Sequence, residues 1–104
     1  MSPRGILDTN QNRLFAKRYT RQKLKEAGFG LEDWKALNAL IIKESQWNHE
    51  AQNPKSSAYG LFQILKMPPG TPIEKQVEKG ISYITKRYGT PVEAYKHHLE
   101  KGWY

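Results

Sequence analysis

Gly30-Leu31-Glu32-Asp33-Trp34-Lys35-Ala36-Leu37-Asn38-Ala39-Leu40-Ile41-Ile42-Lys43-Glu44-Ser45-Gln46-Trp47 is the stretch that decides the fold. Trp34, Leu37, Leu40 and Ile41 recur every three or four positions, the period of a helix with one buried stripe. Gly30 stands at the N-cap, with Phe29 and Trp34 spaced for a hydrophobic staple and Asp33 near the positive end of the dipole. The spacing carries this helix to about Trp47. Glu44 follows Ile41 by three residues and so falls on the same stripe, while Glu32, Lys35 and Lys43 lie toward the other side. A carboxylate on a core-facing stripe is partly desolvated, which favours the protonated form a general acid needs near neutral pH. The bland alternative is a Glu44 that swings out to solvent or pairs with a base.

Outward from this helix the same signals repeat. Leu14, Phe15, Tyr19 and Leu24 recur at loose helical spacing between Asn12 and Ala27, and Gly28 and Gly30 stop that segment. Residues 1–10, punctuated by Pro3 and Gly5, read as a frayed lead. Asn48 to Ser57 is loop around an Asn53-Pro54 turn, and a short apolar segment, Tyr59 to Leu65, is closed by Pro68-Pro69-Gly70. Thr71-Pro72-Ile73-Glu74 and Thr90-Pro91-Val92-Glu93 each place a capping Thr, a first-turn Pro and a Glu three residues on. Between them Ile73, Val77, Ile81, Ile84 and Tyr88 form an apolar stripe ended by Gly89. The last helix ends near Gly102 and leaves Trp103 and Tyr104 to pack back on the body. No segment alternates as a strand would, so the expected fold is all-α.

The chain has 104 residues, room for one domain, divided here into a basic lead and first helix (1–30) and a body (31–104). Seventeen Lys and Arg oppose ten Asp and Glu, and most of the net charge of +7 lies in the first 30 residues. That arm, with Arg13, Lys17, Arg18 and Arg21, suits contact with a polyanion. The absence of Cys excludes a disulfide scaffold and a thiol nucleophile. No apolar run reaches the roughly 18 residues of a membrane helix, and the first residues lack a signal-peptide pattern. No cofactor is called for. His97-His98 are adjacent on a helix, where side chains point about 100° apart, so the pair is a poor metal site and reads as groove rim.

Three blocks occur in order: Glu44-Ser45, then Tyr59-Gly60-Leu61-Phe62-Gln63, then Ala94-Tyr95. Together they resemble the soluble lytic transglycosylase (SLT) family, catalytic domains with a goose-type-lysozyme-like fold. The resemblance covers about Ala27 to Tyr104 and is greatest to the small versions in phage tail and tape-measure proteins. It departs at Phe62, where the family has Met, and at Lys96, where it has Asn.

The resemblance implies a small helical domain with a substrate groove, acting on peptidoglycan in the periplasm or cell wall. Glu44 would protonate the glycosidic oxygen between N-acetylmuramic acid and N-acetylglucosamine, then take a proton from the sugar's own 6-hydroxyl, leaving a 1,6-anhydromuramyl end. Ser45 and Gln63 would hydrogen-bond the substrate, Gly60 would let backbone pass close to the sugar, and Tyr95 would hold Glu44. Trp47 and Tyr59 are the expected sugar platforms, with Phe62 and Trp103 behind them. A hydrolytic muramidase would need a second carboxylate. Glu50 is the only acid close by in sequence, since Glu32 and Asp33 lie roughly 16 Å back along the helix. A decayed glycan-binding module, suggested by Lys96, and a nucleic-acid binder using the basic arm are the other readings; no recognition motif accompanies the arm. A monomer is expected.

Overall fold

The architecture is that of a computed structural model, which describes residues 10–104. The lead read for residues 1–10 therefore lies outside the described residues except for Asn10. Among the described residues four helices form: α1 (Gln11–Glu26), α2 (Leu31–Glu44), α3 (Ile73–Tyr88) and α4 (Pro91–Lys101). Residues 45–72 are irregular, with two isolated bridges, Gln52 to Tyr59 and Tyr59 to Ile64. The fold is all-α.

Leu24 of α1, Leu37, Leu40 and Ile41 of α2, Leu61 and Phe62 of the irregular segment, Val77 and Ile84 of α3 and Ala94 of α4 share one core. Each large apolar side chain so buried stabilises the fold by about 1.5–3 kcal/mol. Helices α2 and α4 run side by side in the same direction: Asp33 Oδ1 accepts from Val92 N at their starts, and Glu44 meets His98 toward their ends. Tyr19 Oη donates to Glu78 Oε2 at 2.9 Å and fastens α1 to α3.

Three local expectations are corrected. The buried face of α1 is Ala16, Thr20 and Leu24, spaced four apart, whereas Leu14 and Phe15 are exposed. Small residues on that face let α1 lie close to the body, and Thr20 hides its hydroxyl by donating to Ala16 O at 2.7 Å. The second helix stops at Glu44 rather than Trp47, because Gln46 and Trp47 adopt left-handed backbone (φ 54° and 63°) and Gln46 N turns back to Ile41 O. Thr71 does not cap α3; its N–H and hydroxyl both donate to Pro68 O, closing the Pro68-Pro69-Gly70 turn, and Pro72 takes the N-cap. The other box forms as read: Thr90 Oγ1 accepts from Glu93 N at 3.2 Å with Pro91 in the first turn, and α4 ends on a left-handed Gly102.

Candidate active site

Glu44 is the last residue of α2, at the end of its apolar stripe, and its side chain is 19% exposed. The carboxylate does not swing out to bulk solvent. Its Oε2 lies 2.8 Å from Nε2 of His98, itself 13% exposed, on α4. Among the described residues Glu44 Oε1 has no hydrogen-bond partner, so one carboxylate oxygen is held and the other is not.

Tyr95 does not make the contact expected of it. It packs against the core without a hydrogen bond to Glu44, and His98 fills that role. His98 follows Ala94 by four and Pro91 by seven, so it sits on the inward stripe of α4, a signal already present in the sequence. Lys96 is exposed and pairs with Glu93 at 3.5 Å, so the departure at this position faces away from the site.

The C-terminal residue supplies the phenol. Tyr104 Oη donates to Phe62 O at 2.5 Å, and its ring packs edge-on to Tyr83 (5.6 Å) and near His98 (6.4 Å). Burial, with the neighbouring charge of Glu44 and the phenols of Tyr83 and Tyr88 adding to it, raises its pKa well above the ordinary 10. The unfolded chain therefore releases this proton first as pH climbs, so the stability that Tyr104 contributes is present below pH 10 and lost above it. Melting curves at pH 9 and 11 should show a larger drop for the wild type than for Tyr104→Phe. An equal drop would mean that Tyr104 does not sense burial.

The Tyr59–Gln63 block is pinned from beneath. Ser45 Oγ donates to Leu61 O at 2.8 Å and is buried, so its proton is committed to the backbone and not to a sugar. Gln76 is the hub that the sequence reading passed over: Oε1 accepts from Leu61 N (2.8 Å), and Nε2 donates to His49 O (2.9 Å) and Thr71 O (2.8 Å). Its signal is a polar residue on the Ile73–Val77 stripe. Gly60, at φ 88°, is required because a Cβ there would collide with the Gln76 amide; the close approach is to Gln76. Gly80 is likewise bare because the Phe62 ring lies on it.

Gln63 fares differently. Both hydrogens of its Nε2 go to backbone carbonyls, Gly60 O at 2.8 Å and Ala51 O at 2.9 Å, which fixes the amide so that Oε1 remains as acceptor. It lines a cavity of about 240 Å³ with Phe62, Ile64, Leu65, Tyr83, Arg87 and Tyr104. This cavity shares Tyr104 with the surroundings of Glu44.

The expected platforms are corrected. Trp47 is 2% exposed, packs at a tilt with its ring 5.8 Å from that of Trp34 and donates Nε1 to Asn38 Oδ1, so it is spent on the core. Tyr59 is 6% exposed, and its hydroxyl accepts from Gly70 N. Phe62 is buried too, whereas Trp103 is half-exposed beside His97 (4.5 Å). Glu50 lines a second cavity with His49, Tyr59 and Glu74, which shares no lining residue with the one beside Tyr104. Among the described residues no three His, Asp or Glu side chains gather as a metal site.

Glu44 at the end of α2 is thus tied to α4 through His98, and the residue after it, Ser45, pins the Tyr59–Gln63 segment. The family model for the transglycosylase SLT domain matches residues 24–86, more than half of the chain, and the chain belongs to that family, whose function is peptidoglycan degradation of the lytic-transglycosylase type. No curated protein and no solved structure gives a match. The matched span carries Glu44, Ser45 and the Tyr59–Gln63 block; α4 and Tyr104, which complete the surroundings of Glu44, follow it.

Proposed function

We propose that this chain is a lytic transglycosylase that cleaves the β-1,4 bond between N-acetylmuramic acid and N-acetylglucosamine, with Glu44 as its one acid and base. The observation that carries the reading is the Glu44 carboxylate itself, mostly buried, with Oε2 held by His98 and Oε1 without a partner among the described residues. In the first step the Oε1 proton passes to the glycosidic oxygen as the C1–O bond breaks. In the second, the carboxylate takes the proton of the muramyl 6-hydroxyl while that oxygen bonds to C1, closing the anhydro ring and returning Glu44 to its acid form. No water is consumed. Gln63 Oε1 is the acceptor best placed for a sugar hydroxyl or acetamido N–H beside the cavity. Hydrolysis by a carboxyl pair is disfavoured by the separate cavity that holds Glu50.

The substrate is wall peptidoglycan, met as a monomer in the periplasm or wall, and delivery on a virion tail or within a longer tail protein accords with the resemblance. The enzyme should release soluble muropeptides from purified sacculi. Tight binding with no release would identify a decayed module instead.

The basic arm serves attraction to the acidic wall. Arg18, Arg21 and Lys25 border an open groove of about 510 Å³ floored by Leu24, Phe29 and Trp34, with the Arg21 guanidinium 5.3 Å from the Trp34 ring. Replacing Arg18 and Arg21 by Glu should slow sacculus digestion severalfold in low salt and little at about 1 M, where the Debye length falls to roughly 3 Å. An equal effect in both would discard this role.

A further inference from the structure

Among the described residues that line the cavity beside Tyr104, Arg87 is the one cation and none is acidic. Its guanidinium is exposed on α3 and pairs with no carboxylate among the described residues. An exposed arginine near a helix end ordinarily sweeps through solvent. This one is caged: its Cζ lies 5.7 Å from the Tyr83 ring centre, 5.8 Å from that of Tyr88 and 5.7 Å from that of Trp103, and Nη1 donates to Tyr83 Oη at 3.2 Å. We propose that Arg87 binds a carboxylate on the side chain of the muramyl residue and so makes the enzyme selective for strands whose muramyl branches are anionic. The inference rests on the reading of the chain as a lytic transglycosylase.

Aromatic faces hold a guanidinium in place without neutralising it. The bond to Tyr83 uses one of its five N–H donors, and the full charge remains for a ligand. The cage is also tied to the turn that carries Gln63. Tyr83 Oη donates to Tyr104 O at 3.1 Å, the two rings meet edge-on, and Tyr104 Oη donates to Phe62 O. Gln63 follows Phe62 and lines the same cavity, with Oε1 open as an acceptor. One cavity of about 240 Å³ thus presents a fixed acceptor and a fixed cation.

The sugar rings of the strand are uncharged, and its carboxylates belong to the lactyl branch of muramic acid or to the peptide attached there. A muramyl residue whose hydroxyl or acetamido N–H meets Gln63 carries that branch on the same ring. A carboxylate accepts two parallel N–H bonds from a guanidinium, which a sugar hydroxyl does not. Lys86, next to Arg87 on α3, is exposed and does not line the cavity.

The test compares kcat/KM on three soluble strand preparations: unmodified, with every carboxyl converted to an amide, and stripped of peptide by an amidase so that the lactyl carboxylate is bared. The enzymes are the wild type, Arg87→Gln, Arg87→Lys and Lys86→Gln, all at one ionic strength. The wild type should cleave unmodified strands about tenfold more efficiently than amidated ones, with the difference in KM rather than kcat, the effect of one charge-assisted pair. Arg87→Gln should drop to the amidated level on unmodified strands and match the wild type on amidated ones. Arg87→Lys, which keeps the charge and loses the fork, should fall between. Lys86→Gln removes the same charge one residue away and should keep the wild-type ratio, which separates a bound carboxylate from general attraction to a protein of net charge +7. Stripped strands cut as well as unmodified ones assign the carboxylate to the lactyl group; stripped strands cut as poorly as amidated ones assign it to the peptide. A wild-type ratio near one, or an Arg87→Gln that loses equally on unmodified and amidated strands, overturns the inference, and the guanidinium then only packs Trp103 and the tyrosines. In either case cleavage of the strands upholds the transglycosylase reading, whereas a wild type that leaves all three preparations intact removes that reading and the inference with it.

Discussion

Glu44→Gln should lower the release of muropeptides by about 10³-fold or more, with helical circular dichroism and melting temperature close to wild type. A positioned general acid contributes about 10²–10⁴-fold, and in the proposed reaction the same group also acts as base, so the larger figures apply. Glutamine keeps the shape and offers a carbonyl oxygen where Oε2 now meets His98 Nε2, so the α2–α4 contact survives the change. The fold does not depend on this charge: its core is Leu37, Leu40, Ile41, Val77, Ile84 and their neighbours. More than a tenth of wild-type activity in a well-folded Glu44→Gln would move the acid elsewhere.

The largest stability effect is expected at Gln76→Leu. The buried amide bonds Leu61 N, His49 O and Thr71 O at once, and leucine removes all three bonds, that of the buried Leu61 N above all, while fitting the volume poorly beside Gly60. An orphaned buried polar group costs about 1–3 kcal/mol, so the loss of the Leu61 N partner, together with the two part-buried bonds and the poorer packing, makes about 3 kcal/mol. For a domain of this size each kcal/mol moves the melting temperature by about 4–8 °C, which gives a fall of roughly 12 °C or more. Residues 59–65 should loosen first, and their amide exchange should quicken before that of α2. A melting temperature within 3 °C of wild type would mean that Ser45 and the short bridges hold this segment without Gln76.

The residues that were legible in advance are those whose position follows from helix period alone. Trp34, Leu37 and Ile41 place Glu44 inward by spacing, and the Thr90-Pro91-Val92-Glu93 box forms because the chain before it is free to extend. What the period does not carry is the path of irregular backbone. Gln46 and Trp47 end α2 early by entering left-handed conformations, a strain of order 1 kcal/mol or more each, held by the Trp47–Asn38 hydrogen bond and the tilted contact with Trp34. That turn buries Trp47, so a residue suited to stacking on sugar becomes core. The same limit hid the partner of Glu44. His98 lies on the inward stripe of α4, but only the parallel packing of α2 on α4 brings it, rather than Tyr95, to the carboxylate. Tyr104 reaches Phe62 because Gly102 turns the chain back, and that direction cannot be read from a terminal Trp-Tyr pair. Thr71 shows the converse, a good capping sequence overridden by a neighbouring Pro-Pro-Gly turn that takes its hydroxyl first.

The claim that a lone carboxyl performs both proton transfers is tested most directly by digesting sacculi in water enriched in oxygen-18 and weighing the released muramyl ends. The mechanism proposed for Glu44 predicts 1,6-anhydro ends with no label from the solvent, because the ring closes on the sugar's own oxygen. Reducing ends carrying oxygen-18 would contradict it and would show that water, activated by a second group, completes the reaction.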